Sequence, residues 1–220
     1  MFGWIKKIVL RFEVHLTMIG LYMLFIFLFL YVGDYNEGRN FYNLSIFIDQ
    51  KIPFNPHFVW TYILYYFVAL MPVMVVTEIK EFRRMVGAYL MMYFMGFLTF
   101  ILFPVKMMRP ELVGDGYSIW LLKKIYNADN GYNCFPSMHV ANAFLASFFS
   151  YRFNRVYGAV VYVIAFLITI STLFIKQHYI VDLIAGIALA YFVYRFSYYR
   201  FSAEKIKQEL RRLREVVENV

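Results

Sequence analysis

Val156-Tyr-Gly-Ala-Val-Val-Tyr-Val-Ile-Ala-Phe-Leu-Ile-Thr-Ile-Ser-Thr-Leu-Phe-Ile175 holds no charged residue in twenty positions. About 20 helical residues rise ~30 Å, the thickness of a bilayer's hydrocarbon core, so this stretch reads as a membrane span. Working outward, comparable runs occupy residues 16–33, 58–77 and 85–105. Weaker ones cover 140–151, with an N-terminal extension, and 178–194. The two weak runs begin with histidine or aspartate, and ionisable groups inside a span are functional candidates. The expected fold is all-α: one polytopic membrane domain of six transmembrane helices in a bundle.

Composition agrees. The chain is 62% hydrophobic and 22% aromatic, more apolar surface than a soluble domain of 220 residues can hide. A net charge of +8 would suggest nucleic acid in a soluble protein, but its distribution points elsewhere. With six spans, fifteen lysines and arginines fall on the side of the termini and seven, namely Arg39, Lys51, Lys106, Arg109, Lys123, Lys124 and Lys176, on the other. That asymmetry sets both termini in the cytoplasm. The expected setting is a plasma or bacterial inner membrane, with the bilayer as partner and no nucleic acid; nothing in the pattern sets an oligomeric state.

The first span is read as a retained signal anchor, because Tyr31-Val-Gly-Asp34 is not a small-x-small cleavage site. Residues 1–14 mix Lys6, Lys7 and Arg11 with Phe2, Trp4 and Ile5, as an interfacial helix does. Residues 202–220 carry Ile206, Leu210, Leu213 and Val217 on one stripe and read as an amphipathic cytoplasmic tail. Cys134, the single cysteine, excludes an intrachain disulfide. Residues 111–133 form the longest loop; its middle, 119–126, can rest in the interface.

Three polar segments share the extracytoplasmic end of this topology: Lys106-Met-Met-Arg109-Pro110, Pro136-Ser137-Met138-His139 and Lys176-Gln-His178-Tyr-Ile-Val-Asp182. Pro136-Ser137 is a helix-start signal, and the free N–H groups of a helix start form an anion site. His139 then stands in the first turn, beside the anion. His178 and Asp182 are four apart and share a face if helical. The carboxylate can fix one ring nitrogen and leave the other as a nucleophile. An unpaired Asp182 inside a span would cost roughly 2.5–3.5 kcal/mol on insertion scales, which argues for a partner. Arg109 precedes a proline, so its backbone is extended and its fork is free for phosphate oxygens. Lys106 and Lys176 offer point charges, although snorkelling at a span end also accounts for either.

The order Arg-Pro, then P-S-x-H, then H-x-x-x-D resembles the type 2 phosphatidic acid phosphatase superfamily, over the region from the third to the sixth span. The resemblance implies a metal-independent reaction on a lipid phosphate, with no cofactor. It implies that His178 attacks phosphorus, Asp182 orients it, and His139 protonates the leaving oxygen. Arg109, Ser137 and the N–H groups near Met138 would cradle the phosphate, with Lys106 and Lys176 beside them. The sequence departs from the family pattern at three places. Lys106 lies three residues before Arg109 rather than seven, Met138 replaces a glycine, and Ser171-Thr172 stands where serine-arginine is usual. F-P-S-x-H with H-Y-x-x-D-x-x-A-G is also similar to the inositol phosphorylceramide synthase-like branch, which implies phosphoryl-headgroup transfer to an alcohol. Two remoter readings are a zinc intramembrane hydrolase with His139, His178 and Asp182 as ligands, and a transporter with a polar pathway.

Overall fold

The structure, a computed structural model, describes the backbone of residues 2–218 and the side chains of residue 13 and residues 15–199. The amphipathic faces expected in residues 1–14 and 202–220 lie outside the described side chains, apart from residue 13. The described residues are helical, with no strand beyond isolated bridges. The elements are α1 (Phe2–Asn36), α2 (Phe47–Lys51), α3 (Val59–Tyr62), α4 (Tyr65–Val68), α5 (Ile79–Leu102), α6 (Tyr117–Ala128), α7 (Met138–Phe153), α8 (Arg155–Phe174) and α9 (Ile180–Glu218).

Among the described residues, four helical stretches are long and apolar enough to cross a membrane: His15–Asn36, Ile79–Leu102, Arg155–Phe174 and Ile180–Tyr199. That is the make-up of a multi-pass membrane protein. Their outward faces carry large apolar side chains, Phe27, Phe94 and Phe166 among them. The other two expected spans have a different form, for physical reasons. Residues 58–77 make a broken rod in which α3 and α4 alternate with turns and 3₁₀ pieces, Pro56–Phe58 and Met71–Met74. Pro72 has no N–H to continue an α-helical ladder, and the tighter 3₁₀ bonding around it rises ~2.0 Å per residue instead of 1.5. The remaining segment, α7, is the central helix. Ala141, Asn142, Ala143, Ala146, Ser147 and Ser150 are all buried on it, because α8 and α9 pack against it and leave little room. Its small and polar residues answer to protein neighbours rather than lipid, which is why it reads as a weak span.

Glycines permit two of the close approaches. At Gly158 a Cβ would lie 2.1 Å from the Tyr151 Cα, so the α7–α8 hairpin closes only on glycine. Asn154 makes the turn between them, its side chain accepting from the Tyr157 N–H. At Gly186 a Cβ would lie 2.5 Å from the Ser137 carbonyl oxygen, so glycine lets the start of α7 seat on α9.

At one end of the bundle the chain runs extended through three segments. Val105 bridges both Tyr42 and Asn133. The bonds Lys106 N–H to Tyr42 carbonyl (3.1 Å), Met107 N–H to Gly131 carbonyl (3.0 Å) and Cys134 N–H to Val105 carbonyl (3.2 Å) tie them. The expected loop at 111–133 contains α6, which packs over this end with Leu122 and Ile125 against Val59 and Tyr62.

Candidate active site

Ser137 caps α7, its hydroxyl accepting from the Val140 N–H at 3.3 Å, and its own N–H donates to the Asp182 carbonyl at 3.0 Å. The two helix starts, α7 and α9, are therefore bonded to one another. The first-turn N–H groups that follow Ser137 are those no helix satisfies internally.

The chain reaches His178 through a tight reversal. Gln177 N–H bonds the Thr172 carbonyl (2.8 Å) and Lys176 N–H the Leu173 carbonyl (3.2 Å), a Schellman ending for α8. Such endings place the residue after the cap in the left-handed region, and Lys176 has φ +50°. Asp182 is the third residue of α9, and its Oδ2 accepts the Tyr179 N–H at 2.8 Å, half of a capping box. His178 thus precedes the helix instead of sharing a face with Asp182 on it. The pair still meets, with Nδ1 3.5 Å from Oδ2.

His139 Nδ1 lies 2.9 Å from His178 Nε2, and the Tyr62 hydroxyl 2.5 Å from His139 Nε2. All four residues of this line are buried. Proton positions follow from the network. With His178 Nδ1–H toward Asp182, His178 Nε2 accepts from His139 Nδ1–H, and His139 Nε2 accepts from the Tyr62 hydroxyl. One imidazole then presents a lone pair and the other a proton at the same point. Cys134 stands beside the line, its thiol donating to Asp182 Oδ2 at 2.9 Å and lying 3.5 Å from His178 Nδ1. Burial, and then the Asp182 charge, push this thiol's pKa up, so it remains a donor.

The three cations are held differently. Arg109 Nη2 pairs with the Asp129 carboxylate at 2.9 Å and donates to Gln177 Oε1, while Nη1 bonds the Asp129 carbonyl. Its guanidinium stacks 4.4 Å over Tyr126. A Cβ at Gly131, where φ is +79°, would lie 3.2 Å from the guanidinium carbon. Gln177 fastens this fork one residue from His178. Lys106 donates to the Tyr132 hydroxyl at 3.1 Å and lies over that ring. Lys176 donates to the Asp49 (3.1 Å) and Ile52 (2.6 Å) carbonyls. Neither lysine reaches the histidines. Met138 packs on α5, where a Cβ at Gly96 would meet its sulfur at 2.6 Å.

His178, Tyr179 and Lys176 line one wall of an open pocket of about 200 Å³, faced by Asn43, Asp49 and Met108.

The sequence profile of the PAP2 superfamily, the type 2 phosphatidic acid phosphatases, matches residues 39–196. The chain belongs to that superfamily. It is also 27% identical over 125 residues to a PA-phosphatase related-family protein of Dictyostelium discoideum, over 51% of this chain and 23% of the relative. The chain thus spans less than a quarter of that curated relative's length. No solved structure matches it.

Sequence reasoning passed over Tyr62, Asp129 and Gln177, and treated Cys134 only as a lone thiol. Gln177 sits between two singled-out residues, and Asp129-Asn-Gly131 is a turn signal. Tyr62 is one of many aromatics in its segment and carries no local signal.

Proposed function

We propose that the protein is an integral-membrane lipid phosphatase. It hydrolyses a phosphate monoester or pyrophosphate through a phosphohistidine, without a metal, at the extracytoplasmic face. The observation that carries this reading is the 2.9 Å contact between His139 Nδ1 and His178 Nε2, backed by Asp182 behind and Tyr62 in front. Two nitrogens at that distance leave no room for phosphorus, so the phosphoryl group enters by displacing their hydrogen bond. His139 takes up a proton with the anionic substrate, at Nε2 facing the Tyr62 oxygen. His178 Nε2 then forms the N–P bond as the P–O bond to the lipid breaks, and the lipid oxygen takes the Nδ1 proton of that imidazolium. Asp182 stabilises the ring as it becomes cationic. Water, deprotonated by His139, next attacks phosphorus and releases phosphate and free His178. Arg109 and the first-turn N–H groups of α7 stabilise the equatorial oxygens. Ser137 orients that turn. The outward face rests on the lysine and arginine asymmetry between the two sides.

One observation favours a neighbouring chemistry. With Lys106 and Lys176 tied to Tyr132 and to loop carbonyls, Arg109 is the one of the three left to meet phosphate, which suits a phosphodiester of lower charge. Such a site would transfer a phosphoryl headgroup to an alcohol. Incubation of the purified protein with phosphatidic acid, phosphatidylglycerophosphate, polyprenyl pyrophosphate and phosphoinositides separates the two. Phosphate released without added alcohol is the expected result. A headgroup-transferred product formed only with alcohol would establish the transferase, and no product from any substrate would refute both.

A further inference from the structure

Cys134 Sγ, His178 Nδ1 and Asp182 Oδ2 form a closed triangle, with edges of 3.5 Å (S to N), 2.9 Å (S to O) and 3.5 Å (N to O). A tetrahedral zinc, with about 2.3 Å to sulfur and 2.0–2.1 Å to nitrogen, spaces its sulfur and nitrogen ligands by roughly 3.5 Å. Two of the edges already have that size, and the third, 2.9 Å, needs to open by about 0.6 Å. A second observation points to a ligand. Asp182 Oδ1 is buried with no hydrogen-bond partner, although its residue is fully enclosed. Buried polar atoms are nearly always satisfied, and this oxygen belongs to the carboxylate whose other oxygen, Oδ2, meets the thiol and the imidazole, so the group keeps unused capacity for a cation. Charge agrees as well, since a thiolate, a carboxylate and a divalent cation sum to zero in a site where net charge is costly. An open pocket reaches one of the three ligands, His178.

We propose that Cys134, His178 and Asp182 form an inhibitory site for a thiophilic divalent cation of the zinc and cadmium kind. The inhibition, though not the binding, rests on the phosphohistidine reading. On binding, the thiol loses its proton to solvent and the cation replaces the proton on His178 Nδ1. The neutral ring then carries that proton on Nε2 and donates it to His139 Nδ1, whose own proton moves to Nε2 toward the Tyr62 oxygen, so the lone pair that would attack phosphorus is gone. Asp182 Oδ2 now binds the cation instead of orienting the ring.

The test adds cadmium chloride to the purified 220-residue chain. Because Cys134 is its single cysteine, a thiolate-to-cadmium charge-transfer band reports this site alone. The expected result is a band saturating at one equivalent, absent in Cys134→Ala, with phosphatase activity falling in parallel and returning with chelator. Zinc should inhibit Cys134→Ala and Cys134→Ser about tenfold more weakly or worse, each measured against its own metal-free rate. No band in the unmodified protein overturns the site. Equal zinc sensitivity in both variants, or a saturated band with undiminished activity, overturns the inhibition. A band in a protein inactive toward every lipid phosphate keeps the cation site and removes the phosphatase reading.

Discussion

The two histidines and the two lysines singled out in the sequence occupy one end of the molecule, yet they are held in opposite ways. His139 and His178 are buried, in contact at 2.9 Å, and braced by Tyr62 and Asp182. Lys106 and Lys176 spend their ammonium groups on a tyrosine and on loop carbonyls. Arg109 falls between, its guanidinium oriented by Asp129 and Gln177 beside His178. The difference teaches that the hydrogen-bonded histidine line is built at the helix starts, whereas the positive charge of the lysines near it is scaffold first. A lysine close to a site in sequence is not thereby part of its cradle.

The histidine line should therefore fail hardest on mutation. On the proposed mechanism His178→Ala removes the attacking atom and should abolish turnover of every substrate. His139→Ala should lose ~10²–10⁴-fold on a lipid substrate, as acid–base roles do, and recover much of it on a nitrophenyl phosphate. Kinetics of both variants on both substrates check this, and rescue of His178→Ala instead would reverse the roles. Arg109→Lys should lose about 10²–10³-fold in kcat, the usual effect of removing one transition-state donor, because an ammonium cannot replace a fork shared among Asp129, Gln177 and phosphate. Full activity in Arg109→Lys would reduce Arg109 to scaffold and erase its intermediate standing. Tyr62→Phe deletes one hydrogen bond to His139, worth about 0.5–1.5 kcal/mol, so kcat should fall by about two- to twelvefold. Lys176→Gly should change kcat least of all, within about threefold, since glycine adopts φ +50° freely and only the carbonyl anchors are lost. A loss in Lys176→Gly as large as that in Arg109→Lys would put Lys176 back in the cradle.

Much of this was readable from residues alone, and the exceptions have physical causes. Ser137 announced the start of α7 because a capping hydroxyl after proline is a local signal. The pairing of His178 with Asp182 was readable, but its geometry was not. Whether four residues lie on a helix or straddle its start depends on the Schellman ending at Lys176, and a lysine gives no hint of a left-handed backbone. The rod of 58–77 was expected as an ordinary span and the buried α7 as a weak one. Hydropathy measures lipid compatibility and is blind to a helix whose surroundings are protein. Helix α6 lay hidden in a loop because its apolar side answers to Val59 and Tyr62, a contact far apart in sequence. The same holds for the Cys134 thiol, whose hydrogen-bond partners come from 43 or more residues away.

The central claim is a covalent bond between phosphorus and His178. Acid-labile, alkali-stable label should appear on the protein when turnover of a radiolabelled lipid phosphate is quenched in base, and peptide mapping should place it on His178. Label should persist in His139→Ala with a good leaving group and be absent from His178→Ala. Label on another residue, or rapid turnover with no trapped phosphoenzyme under conditions that slow the second step, would contradict the account.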